Sequence, residues 1–188
     1  LCVFVNHIMS LSTFPFYIQS LGGTEADAGA CAALFCLVAV VCRPFVGWWL
    51  DNGARRVVLV VGLLLLGLAP LGYLFTSVLS CAIASRMLHG AALSFSNSTT
   101  ATVASDVIAR PRFAEGMGCF GMATALASAL APALGLTLIE RAGYGVLYAT
   151  AAGIALLGLI LFLFVRAPRV EVPHTSLSIK GLINRDSL

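Results

Sequence analysis

Apolar runs fill most of this chain, and short polar breaks divide them. A bilayer crossing takes roughly 20 mostly apolar residues. Six runs reach that scale: Leu1 to about Ser20, Asp27 to Leu50, Val57 to Thr76, Val78 to Ala109, Phe113 to Ile139, and Tyr144 to Val165. The break before the second run reads Thr24-Glu25-Ala26-Asp27, the residue types that open a helix. The pattern predicts an all-α membrane protein with six transmembrane helices over residues 1–166. The polar stretch 167–188 reads as a cytoplasmic tail or as the start of a linker. The first run has no basic segment before it and no cleavage site after it, so it does not read as a signal peptide.

Composition agrees with the pattern. Of 188 residues, 60% are hydrophobic and 10% charged, with a mean hydropathy of +0.99. A soluble domain carries about 25% charged residues, so this chain lacks the polar surface to stay in water. The basic residues set the orientation. Arg55 and Arg56, Arg110 and Arg112, and Arg166, Arg169, Lys180 and Arg185 all fall on one side of the six runs. Glu25, Asp27, Glu140 and a single Arg141 fall on the other. The basic side is therefore expected to be cytoplasmic, with both chain ends on it, in a cell (plasma or inner) membrane. The net charge of +3 reflects this bias and gives no reason to expect a nucleic-acid partner.

Candidate chemistry is sparse. The six cysteines form no CxxC pair and no His/Cys cluster with zinc spacing, so neither disulfide, metal nor cofactor is expected. There is no GxSG, no HExxH and no pair of intramembrane acids, so an enzyme is not expected. Polar residues inside the runs are more telling. Arg86 lies about two turns into the fourth run, where an arginine costs about 2.5–3.5 kcal/mol on insertion scales. Either it snorkels to the interface, or it lines an aqueous cavity on a face shared with Gly90 and Asn97. Asn6 and His7 in the first run are further cavity candidates, or else a helix-packing contact. Arg43 near the end of the second run reads as a snorkeller.

Two internal patterns remain. Pro44 and Gly47 in the second run recur at one common offset as Pro132 and Gly135 in the fifth. Recurrence three runs later is what an inverted three-plus-three repeat produces. In the fifth run, Ala127, Ala131 and Gly135 are spaced by four and make a ridge of small residues for close helix approach.

The stretch GWWLDNGARRVVL, residues 47–59, resembles the signature between helices two and three of the major facilitator superfamily. Gly47, Asp51, Arg55 and Arg56 fall on its positions. Asn52 stands where a basic residue is usual and Ala54 where a second glycine is usual, with Gly53 one place early. Arg86 and Gly90 resemble the R-x-x-x-G signature of helix four. Gly118, Ala127, Ala131, Pro132 and Gly135 resemble the helix-five signature of proton-coupled exporters, with alanine for two glycines and Leu136 for the last.

The resemblance implies the N-terminal half of a twelve-helix transporter, with its C-terminal half missing from this chain. It implies alternating access and export of a small organic or drug-like solute in antiport with protons. It also implies a conformational latch in which Arg55 meets Asp106, and Asp51 faces a helix N-terminus of the other half. A complete six-helix protein, working as a dimeric transporter or as a non-transporting scaffold or receptor, is the alternative.

Overall fold

The computed structural model of the chain describes residues 1–75 and 78–165. Within them the chain forms α1 (Cys2–Ser20), α2 (Glu25–Asp51), α3 (Arg55–Leu74), α4 (Leu79–Val107) and α5 (Phe113–Phe164), with a 3-10 turn over Arg110–Arg112 before α5. The expected tail 167–188, with Arg169, Lys180 and Arg185, lies outside the described residues, as does Arg166.

The helix ends follow local chemistry. Thr24 and Asp27 close a capping box at the start of α2: the Asp27 N–H donates to Thr24 Oγ1 at 3.2 Å, and the Thr24 N–H donates to Asp27 Oδ2 at 2.7 Å. At the other end of α2, Gly53 takes φ 79, a left-handed value that favours glycine. Its N–H donates to Leu50 O at 3.2 Å, and the Ala54 N–H donates to Trp49 O at 3.1 Å. These are the two bonds of a Schellman close, and α3 starts immediately after it.

The two expected runs, 113–139 and 144–165, form the two helical arms of α5, separated by non-helical backbone at Gly143 with φ 78 and ψ 177. The two arms fold back on each other, as their contacts with α1 require. Asn6 Nδ2 donates to Ala151 O at 2.6 Å in the second arm. A Cβ on Gly135, in the first arm, would lie 2.8 Å from Thr13 Cγ2 and 3.0 Å from Met9 Cγ. Along α1, Asn6 and Thr13 are about 10 Å apart, whereas a straight helix would separate Gly135 from Ala151 by about 24 Å. The element therefore turns at Gly143, and both arms lie against α1.

Glycines also set the approach of α3 to α4. A Cβ on Gly62 would come within 2.7 Å of Ser96 N, and one on Gly72 within 2.4 Å of Ser85 Oγ. At Gly62 only a bare backbone fits, and at Gly72 the Ser85 hydroxyl would have to turn away, so the two helices pack closely at both points.

Polarity is distributed the opposite way from a water-soluble domain. Asn6, Ser10, Thr13, Arg86, His89, Ser94, Ser96 and Thr99 are buried. Leu37, Val41, Phe45, Leu68, Leu130, Leu134, Leu157, Ile160 and Leu161 are exposed. An exposed apolar surface of that extent belongs against lipid. Among the described residues, Glu25–Asp51, Arg55–Leu74 and Arg110–Phe164 are long and apolar enough to cross a membrane. Helices α1 and α4 fall short of that measure because they carry the polar residues that the bundle buries.

Candidate functional site

Two places in the bundle gather the residues that the sequence singles out. At one end, the short turn after α2 puts Arg55 and Arg56 in the first two positions of α3, while Asp106 lies one residue before the end of α4. Each charge is on the unfavourable end of its helix dipole, since N-termini repel cations and C-termini repel anions. Pairing relieves both penalties, and Arg55 Nη1 donates to Asp106 Oδ2 in an ion pair whose side chains are each 21% exposed. Arg56 is exposed, and its Nη2 donates to Leu163 O at 3.4 Å, near the end of α5. Asp51, the last residue of α2, is also on the wrong end of a dipole. It is exposed and has neither hydrogen bond nor ion pair among the described residues. A Cβ on Gly47 would meet nothing within 4 Å, so this glycine allows no close approach within the described residues.

The second place is the middle of the bundle. Arg86 is 1% exposed and does not snorkel. Its guanidinium lies over two phenyl rings, 4.4 Å from the centroid of Phe14 and 4.4 Å from that of Phe35. Gly90 makes the second contact possible. A Cβ there would sit 2.5 Å from Phe35 O, so only glycine lets α2 bring Phe35 over the arginine. Both imidazoles pack on the same ring, His7 stacked at 5.6 Å and His89 edge-on at 5.8 Å. Tyr73 and Tyr148 close the far side, 4.6 Å apart between ring centroids.

Two cavity candidates, Gly90 and Asn6, need correction. Gly90 does not line a cavity: it is a backbone contact between α2 and α4. Asn6, at 0% exposure, is a tie between helices, bonded to Ala151 O at 2.6 Å and reaching Leu66 O at 3.5 Å. Asn97 is half-buried, and the hydroxyls of Ser96 and Thr100 beside it bond back to their own helix, to Ala92 O and Ser96 O. In the first arm of α5, Ala127, Ala131 and Gly135 are buried as a ridge, and Gly135 faces Met9 and Thr13. Gly118 is exposed with nothing within 4 Å of a Cβ, and Pro132 is half-buried, so neither joins that ridge.

The sequence profile of the Major Facilitator Superfamily matches residues 1–182. The chain belongs to this family. Multidrug resistance protein 2 of Bacillus subtilis (strain 168) is 22% identical over 157 residues, which is 82% of this chain and 38% of that protein. The chain thus spans well under half the length of the curated relative it matches.

For a major facilitator protein the loop signature was the readable part, because its residues are adjacent in sequence. The centre around Arg86 was missed except for Arg86 and His7 themselves. Phe14, Phe35, Tyr73 and Tyr148 look like ordinary apolar-span residues until the helices are packed. The one available signal was His89, three positions from Arg86 and so on the same face of α4.

Proposed function

We propose that this chain is the first half of a secondary transporter that moves a small organic, drug-like solute across the cell membrane by alternating access. On this reading the two arms of α5 are separate crossings. They complete six spans in an inverted three-plus-three arrangement, with Pro44 and Gly47 mirrored by Pro132 and Gly135. Both chain ends are cytoplasmic. Export in antiport with protons completes the reading, and a second six-helix half is the partner. Family membership and the name of the multidrug-resistance relative support it.

The observation that carries the reading is the placement of Asp51 beside the Arg55–Asp106 pair. A carboxylate at a helix C-terminus, exposed and unpaired, gains from meeting the N-terminus of a helix elsewhere. Such contacts are worth about 0.3–1 kcal/mol when exposed and up to about 2 when partly buried. A few of them bias a two-state equilibrium whose states differ by a few kcal/mol. GWWLDNGARRVVL is then a latch that holds the cytoplasmic side shut, and Arg55 and Asp106 hold its turn in place. In the full-length protein, Asp51→Asn and Arg55→Ala should each shift cysteine-accessibility labelling toward the inward-open state. Wild-type labelling and transport in both variants would reduce the stretch to a topology-setting loop.

A further inference from the structure

The bundle interior holds, among the described residues, one permanent positive charge and no negative one. Among the described residues, the carboxylates sit at helix ends or beside the Gly143 break. Glu25 and Asp27 open α2, Asp51 closes it, Asp106 is paired with Arg55, Glu115 with Arg112, and Glu140 precedes Gly143. Asp27 lies one turn from Cys31 and is the acid nearest along α2 to the Arg86 centre, but its Oδ2 is held by the Thr24 N–H and hydroxyl. The rings of Phe14 and Phe35 offset part of the charge of Arg86 through cation–π contact. Neither ring offers a conventional hydrogen-bond acceptor, and Arg86 Nε and Nη1 are buried without a partner.

The same holds for their neighbours. Both ring nitrogens of His89, His7 Nδ1 and the Tyr148 hydroxyl are buried and unpartnered. His89 is 0% and Tyr148 1% exposed, and the field of Arg86 reaches His7, His89 and Tyr148. A buried donor left unmade destabilises the fold, and more so when it is charged. Native interiors rarely keep one such group without a reason, and this centre, with the Tyr73 hydroxyl, keeps seven polar atoms on five side chains.

We infer that the Arg86–His89–His7–Tyr148 centre binds the carboxylate of a small organic monoanion. Three features select that class. The free Arg86 donors belong to a planar guanidinium fork with aromatic rings beside it, and that fork matches a planar carboxylate. One fixed cation balances one negative charge, and a phosphate dianion would leave a second charge unpaired at low dielectric. The walls are aromatic, which suits an apolar body behind the carboxylate. The inference rests on the transporter reading for its setting and names the substrate class that reading leaves open.

Binding and transport are measured separately on the full-length protein, so the two readings fail independently. The probe is radiolabelled benzoate in equilibrium dialysis, with phenyl phosphate, benzamide and benzylamine as competitors. The expected result is saturable benzoate binding, displaced weakly by phenyl phosphate and not by the amide or the amine. Arg86→Gln should weaken it roughly tenfold or more. Tyr148→Phe keeps the ring and the packing, so it tests the site even if Arg86→Gln does not fold, and it should weaken binding several-fold. Equal competition by benzamide or benzylamine overturns the inference, and so does unchanged affinity in Tyr148→Phe. Absence of benzoate binding in protein that transports another solute overturns it while leaving the transporter reading standing. Benzoate binding in protein that moves no solute in vesicles does the reverse.

Discussion

Replacing Gly90 by alanine tests whether α2 and α4 are in backbone contact at the centre of the bundle. The added methyl would sit 2.5 Å from Phe35 O, 3.2 Å from its carbonyl carbon and 3.3 Å from its Cα. Carbon atoms pack best at about 3.5–4.0 Å, so α2 would have to retreat by roughly 0.5–1 Å at that point. All three obstructing atoms are helix backbone, and no rotamer change relieves them. Overpacking of this kind costs about 1–3 kcal/mol. Helix propensity works the other way, favouring alanine over glycine by about 0.8–1.0 kcal/mol. Retreat also draws Phe35 off Arg86, and a desolvated cation–π contact is worth about 2 kcal/mol. Strain and the lost ring contact together outweigh propensity, and the net loss should be about 2–4 kcal/mol. Gly29→Ala is the control, since Gly29 is in the same helix pair and a Cβ there meets nothing within 4 Å. The assay is reversible unfolding in mixed micelles titrated with sodium dodecyl sulfate and followed by circular dichroism. Equal stability of Gly90→Ala and Gly29→Ala would refute the close approach and the positioning of Phe35 that depends on it.

Two further predictions concern helix contacts elsewhere. Ala131→Leu places a large side chain on the buried ridge that faces α1, where a Cβ on neighbouring Gly135 already meets Met9 and Thr13; the overpacking should remove about 1–3 kcal/mol of stability and reduce transport, and unchanged transport at normal expression would mean this face meets lipid. Gly53→Ala forces a side chain into a backbone with φ 79, a strain of about 1–2 kcal/mol; the same unfolding assay should register it, and no change would mean the turn after α2 is not left-handed in the protein.

What could be read from sequence was what depends on neighbours a few residues apart. The Thr24–Asp27 box is local chemistry and is found as expected, with both reciprocal bonds made. The Ala127–Ala131–Gly135 ridge is periodic and is buried as a ridge. What could not be read depends on which helix arrives from elsewhere. Asn6 looks like any polar residue in a span, and its role is set by carbonyls 60 and 145 residues away. Gly118 and Gly135 belong to the same pattern, yet one has nothing within 4 Å of a Cβ and the other meets α1 at 2.8 Å. Nothing in the residue or its spacing distinguishes them. The turn at Gly143 falls in the break that the pattern placed between the fifth and sixth runs, and only the choice of residue within 140–143 was silent in sequence.

Electrostatics explains why the signature after α2 has the composition it does on the proposed reading. A turn needed only for topology would be served by arginines alone, because acids contribute little to orientation. Here the acids are present, and all the charges stand where helix dipoles disfavour them. Asp51 and Asp106 lie at C-terminal ends of α2 and α4, and Arg55 and Arg56 at the N-terminal end of α3. Each misplacement costs about 0.3–1 kcal/mol. The Arg55–Asp106 pair answers two of them inside the bundle, and the Leu163 carbonyl answers part of a third. Asp51 is left over. Its penalty is released only by a positive potential arriving from outside the described residues, and it returns when that contact opens. That difference between a met and an unmet Asp51 is of the size needed to tilt a balanced two-state equilibrium. Asparagine at position 51 removes the difference without changing the shape of the side chain, so its effect on labelling should appear at low ionic strength and survive salt only as far as the contact is shielded from water.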